Sequence, residues 1–201
     1  MKDRLSAHFT LAEMLESPRG RGFPEIWKQQ CNPPETVTTH LGILCHQVLE
    51  PLRERLGWPI VVNSGYRCGA LNELVGGSAT SQHVRGQAAD IRLKAGFRAS
   101  PEGETACEAI GEEWTASGLA MPRQAPSRDG WLWMAAALMA DDLGVHQLIH
   151  EYGVPFAPRW VHIAWRDEPR GRLTAIGRWT GRSYRHWNSL GRMAEAMRRA
   201  A

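Results

Sequence analysis

Apolar residues recur along this chain with two periods, and the change of period divides it into elements. Between residues 35 and 56 they fall at 37, 41, 44, 45, 48, 49, 52 and 56, the stripe of an amphipathic helix. Pro51 lies inside the stripe and predicts a kink or a split there, because it lacks an N–H and crowds the preceding turn. Gly57 ends it. Upstream, Thr10 and Glu13 form a capping box, with Phe9 and Met14 placed as a hydrophobic staple, so a short helix is expected to about Ser17. Residues 18–34 are rich in Gly, Pro and Arg and read as an extended segment wrapped around the domain. Residues 70–75 read as a short helix stopped by Gly76 and Gly77.

Elsewhere the pattern is that of strands. Ile60, Val61 and Val62 read as a short buried strand. In residues 88–93, Ala89, Ile91 and Leu93 alternate with Asp90 and Arg92, so the polar residues can face a site while their neighbours face a core. Residues 145–152 and 159–165 predict a hairpin with a long, proline-containing connection. Between the strands, residues 102–114 look helical, residues 120–130 with their two prolines form a loop, and residues 131–143 form a helix ended by Gly144. Residues 190–200 make a basic amphipathic helix. The fold class expected is α+β: a small, mainly antiparallel sheet flanked by helices.

The most distinctive stretch is Ser81-Gln82-His83-Val84-Arg85-Gly86-Gln87-Ala88-Ala89-Asp90. It holds an imidazole and a carboxylate seven residues apart, a spacing that suits a loop leading into a strand. Both groups are good ligands for first-row metals, zinc included. Gly86 lets the backbone turn, and Ala88 and Ala89 let the chain pass close to an ion. His162, in the middle of a strand-like run, is the candidate third ligand. Three protein ligands with one open position characterise catalytic zinc. His8, His40, His46, His146 and His186 have no matching context.

These residues resemble a known family. Ser64-Gly65-Tyr66-Arg67, Leu71-Asn72-Glu73, Gly76-Gly77-Ser78, the stretch from Ser81 to Asp90, Gln147-Leu148-Ile149-His150-Glu151 and Trp160-Val161-His162 look like the zinc D-Ala-D-Ala peptidases, peptidoglycan-cleaving metallopeptidases that share a fold with the hedgehog signalling domain. The opening His8-Phe9-Thr10-Leu11-Ala12-Glu13 is similar to the phage and prophage branch. The resemblance spans roughly residues 8–165. It implies a zinc peptidase domain over residues 1–165, with one Zn²⁺ per chain held by His83, Asp90 and His162. The implied substrate is a peptidoglycan stem peptide or cross-link, cut as a DD-carboxypeptidase or endopeptidase would cut it, in an endolysin-like setting.

In the family, Arg67 binds the substrate carboxylate or the developing oxyanion, a task to which a planar guanidinium is suited. Ser81 resembles a substrate-contacting serine. Many relatives place an acid three residues before the last histidine ligand, but here that position is Arg159, which cannot act as a base. Glu151 is the replacement candidate. If residue 151 pairs across from residue 162, its carboxylate lies on the metal face, and an offset of one residue would turn it away. His150 is the weaker alternative, since strand alternation places it on the opposite face. The rival reading is a non-catalytic zinc-containing module of the same fold, serving wall binding or a phage particle, and Arg159 is the feature that favours it.

Composition narrows the setting. A chain of 201 residues fits one domain with a core, or one domain with an appendage. No apolar run is long enough to span a membrane, and residues 1–8 lack the apolar core of a signal peptide, so cytoplasmic synthesis and a separate route to the wall are expected. Cys31, Cys45, Cys68 and Cys107 form no C-x-x-C pair and read as free thiols. Charge is uneven: residues 166–201 hold nine arginines against three acids, a net +6, which leaves −3 for residues 1–165 in a chain of +3. This basic C-terminal extension reads as a strand and helix packed on the domain, or as a contact for an anionic envelope polymer. No nucleic-acid motif appears. A monomer is expected.

Overall fold

The computed structural model describes residues 4–166, 174–177, 185–187 and 189–200. Three short helices open the chain: α1 (Leu11–Leu15), α2 (Pro18–Arg21) and α3 (Pro24–Gln30). The Thr10–Glu13 capping box forms as its residues predict, and Phe9 and Met14 are both buried. Residues 18–34 are not the extended segment their composition suggested. Pro18 and Pro24 instead sit in the first turns of α2 and α3, where a missing N–H costs nothing. Ser17 caps α2 by accepting the Gly20 N–H at 3.0 Å.

The long apolar stripe folds as α4 (Glu35–Leu44), a π-helical turn (Cys45–Leu49) and α5 (Glu50–Leu56). The widened turn lies directly before Pro51, which cannot donate and whose ring would crowd a regular preceding turn; the π turn absorbs the misfit without breaking the helix. Gly57 closes α5 in the left-handed conformation. Leu41, Leu44, Val48, Leu49, Leu52 and Leu56 are fully buried.

Strand β1 (Ile60–Ser64) is followed by α6 (Gly69–Leu74), a 3-10 turn (Gln82–Arg85) and β2 (Ala88–Leu93). After β2 come α7 (Pro101–Ala116) and α8 (Arg128–Leu138). The latter begins three residues earlier and ends five earlier than the apolar run implied. Ser127 caps it by accepting from the Gly130 N–H. The hairpin β3 (Val145–Glu151) and β4 (Trp160–Trp165) forms as expected, and β5 (Thr174–Gly177), β6 (Arg185–Trp187) and α9 (Leu190–Ala200) follow. The sheet runs β1-β2-β4-β3-β5-β6, antiparallel except where β5 joins β3 in parallel. Strand β1 is not the fully buried strand its apolar run suggested: Ile60 is buried, whereas Val61 is 43% exposed.

The two faces of the sheet differ in chemistry. Ile91, Ile163 and Leu148 are fully buried on the face packed by α8. Beneath it Trp114, Trp133 and Phe156 pack in mutual edge or tilted contacts, with ring centres 6.0–6.2 Å apart. The alternate residues of the same strands supply the polar groups described next. Among the described residues, no helix is long and apolar enough to cross a membrane. Arg170, Arg172, Arg178, Trp179 and Arg182 of the basic extension lie outside the described residues.

Candidate metal centre

Strand register lines up the site. Asp90 of β2 pairs directly with Ser64 of β1 on one side and His162 of β4 on the other, and His162 pairs with Ile149 of β3. The β1–β2 pairing shifts between Val62 and Ser64. This bulge inserts one residue and brings Ser64, not Asn63, opposite Asp90. Because side chains alternate, these partners share one face.

His83 arrives from the 3-10 turn that precedes β2. Gly86 reverses the chain after that turn at φ +70, and a Cβ there would stand 2.7 Å from the carbonyl oxygen of Val37 in α4. Only glycine satisfies both the backbone conformation and the close approach. The turn is thereby pressed against α4, and its histidine is 2% exposed.

Three ligand-type atoms converge. His83 Nε2 lies 3.2 Å from His162 Nδ1 and 3.3 Å from Asp90 Oδ1, and His162 Nδ1 lies 2.9 Å from the same oxygen. Donors around a tetrahedral zinc ion, at bonds of about 2.05 Å, stand about 3.3 Å apart. The observed separations match that spacing. His83 Nδ1–H donates to the Gly65 carbonyl at 2.6 Å. A carbonyl only accepts, so this bond fixes the tautomer and leaves Nε2 with its lone pair facing the other two atoms. These residues therefore fit a metal ion, and they are the set among the described residues whose donor atoms lie close enough together to hold one.

The electrostatics agree. Burial by itself would raise the Asp90 carboxyl, but the charge and hydrogen bonds of His83 and His162 outweigh it and hold the group well below the usual carboxylate range. Burial lowers His162, against an opposing pull from Asp90. The carboxylate thus stays ionised and the His162 imidazole is biased toward neutrality, which is the protonation state of metal ligands.

Of the remaining sequence-predicted residues, Arg67 touches this trio. Arg67 donates from Nε to Ser64 Oγ at 2.8 Å and from Nη2 to Asp90 Oδ2, so its guanidinium sits at the edge of the centre. Glu151 pairs with Trp160, not with His162. The offset from the expected pairing is two residues, which preserves the face and moves Glu151 about 7 Å along the strand toward the hairpin loop. It is buried, and its charge is felt at His162. Arg159 is exposed, and its backbone N–H donates to the Glu151 carbonyl at 2.9 Å. Glu151 is thus on the neighbouring strand, at the same end of the hairpin as Arg159. Ser81 opens the 3-10 turn without a side-chain capping bond and is partly exposed. Asn72 holds the following loop by donating to Ser78 O at 2.8 Å. His150 faces away from the centre, against Trp133.

Two groups at the site escaped sequence reasoning. The Gly65 carbonyl is a backbone group and leaves no side-chain signal. Gln30 lies under the Tyr66–Cys68 backbone but belongs to a segment whose composition concealed its helix.

A family model described as peptidase M15 matches residues 7–109, just over half the chain. The match includes Arg67, Ser81, His83 and Asp90; Glu151 and His162 lie beyond it, and His162 reaches the site through the sheet. No curated protein matches the chain.

Proposed function

Because the chain belongs to the peptidase M15 family, a family of metal-dependent peptidases, we propose that it hydrolyses a peptide bond in peptidoglycan stem peptides or cross-links. The observation that supports this most directly is the buried convergence of His83 Nε2, Asp90 Oδ1 and His162 Nδ1. We assign zinc to that centre, where it would supply Lewis acidity, lowering the pKa of a water and polarising the scissile carbonyl. Glu151 is the general base that accepts the water's proton and returns it to the leaving amine. Arg67, already oriented by Ser64 and Asp90, offers its remaining N–H groups to a substrate carboxylate or to charge developing on the carbonyl oxygen. Ser81, at the rim of the same turn, contacts the peptide. The similarity of residues 8–13 to the phage and prophage branch supports an endolysin-like role.

The test is mass spectrometry of purified peptidoglycan fragments after incubation with zinc-loaded protein, beside a chelated control. A chelator-sensitive product supports the peptidase reading, and its mass names the bond. Glu151→Ala should abolish that product while leaving zinc binding largely intact; surviving activity would remove Glu151 from the role of base. Arg159 favours a second reading, a zinc-containing wall-binding module. Tight binding to peptidoglycan with no product, from protein carrying one zinc, would select it.

A further inference from the structure

Residues 65–68 join β1 to α6 and belong to neither, yet they serve the centre three times. The Gly65 carbonyl holds the His83 ring, the Arg67 N–H donates to the His83 carbonyl at 3.2 Å, and the Arg67 side chain reaches Asp90. Backbone outside a helix or sheet keeps one shape only if its polar groups find partners elsewhere. Here the partners come from the N-terminal helices. The Tyr66 N–H donates to Met14 O at 2.8 Å. The Tyr66 carbonyl and the Cys68 N–H are met by one side chain, Gln30, the last residue of α3.

Gln30 is fully buried. Its Nε2 donates to Tyr66 O at 2.7 Å and to Leu15 O at 2.8 Å, and its Oε1 accepts from the Cys68 N–H at 2.9 Å. Two carbonyls that only accept and an N–H that only donates determine which way the amide points. The side chain therefore bridges the residues on either side of Arg67 and ties them to the end of α1. No hydrocarbon of the same volume could do so, and a carboxylate would set an oxygen against two carbonyls.

We infer that Gln30 is a positioning residue for the metal centre. By fixing the backbone around Arg67 it keeps the Gly65 carbonyl on His83 Nδ1–H, and so keeps His83 Nε2 aimed at Asp90 and His162. This rests on the reading of those three residues as zinc ligands. The Gly65 carbonyl is the direct outer partner of His83, and loss of such a partner typically changes metal affinity about 10–100-fold; Gln30 acts through it.

The experiment uses the full chain and two readouts that need no substrate: zinc affinity by competition with a chromophoric chelator, and the NMR signal of the His83 Nδ1–H in the zinc-loaded protein. Gln30→Leu and Gln30→Glu should weaken zinc binding by about 10–100-fold and bring the His83 ring proton into fast exchange with water. Phe97→Leu, a core substitution outside the site, serves as the control. It should lower the melting temperature and leave zinc affinity within about twofold, since it touches no part of the ligand shell. If Gln30→Leu does not fold, Gln30→Asn, too short to reach all three partners, is read the same way. A folded Gln30 variant with unchanged zinc affinity and a protected His83 proton would overturn the inference, as would an equal loss of affinity in Phe97→Leu. A wild-type protein that binds no zinc would overturn the metal-centre reading and this inference with it.

Discussion

Acid should destabilise this protein through His150 in particular. The residue is fully buried on the α8 face of β3, with its ring edge-on to Trp133 at 6.0 Å. Burial penalises the imidazolium and pushes its pKa down to about 4 from an ordinary 6.5. Between those values the unfolded chain holds a proton that the native chain refuses. Stability therefore rises with pH across this window and is lost as pH falls from about 6.5 to about 4. Going from pH 7 to pH 4.5, the two values give a loss of about 2 kcal/mol, or about 4–8 °C in melting temperature for a chain of this size. His150→Phe keeps an aromatic ring against Trp133 and removes the titration. Urea unfolding of both proteins at the two pH values, with chelator present throughout, isolates the effect, because titrations common to both cancel in the difference. The variant should gain about 2 kcal/mol on the wild type between pH 7 and pH 4.5. A difference independent of pH would refute the reasoning, and one of opposite sign would mean that the native state stabilises the charged ring.

Two other outcomes follow from the centre itself. Zinc at about a hundredfold excess over its Kd should stabilise the wild type by about 2.7 kcal/mol, read as a chelator-reversible rise in melting temperature. Asp90→Asn should lose that rise, and a shift of undiminished size would take Asp90 out of the ligand set. Gly86→Ala combines a left-handed backbone with a Cβ 2.7 Å from Val37 O, and should cost at least about 1–2 kcal/mol in urea unfolding; a change below about 0.5 kcal/mol would mean that α4 yields freely.

Several features were legible because their signals are local. The capping box at Thr10 and Glu13 needs only residues three apart. The helical stripe of residues 35–56, and the effect of Pro51 upon it, follow from helix period and proline geometry. Alternation in residues 88–93 put Asp90 on the face opposite Ala89, Ile91 and Leu93, and the strand-like run of residues 159–165 put His162 in mid-strand. The helices of residues 18–30 were hidden because Gly, Pro and Arg dominate there, and what starts them is placement of proline in a first turn, which composition does not register. Glu151 was half legible: alternation assigned its face, but the pairing that sets its distance from His162 depends on where the hairpin closes.

The sequence by itself thus determined which side-chain types converge, the strands that carry Asp90 and His162, and the glycine turn that delivers His83, since each depends on backbone preferences within a few residues. Tertiary structure decided the rest. Asp90 meets His162 because β4, not β3, lies beside β2, a strand order that no local pattern specifies. The His83 tautomer depends on a carbonyl eighteen residues upstream, in a segment whose neighbouring backbone groups are met by a glutamine from a helix still further back. Such contacts join parts of the chain that share no local pattern, and the energy that brings them together comes from packing the whole domain.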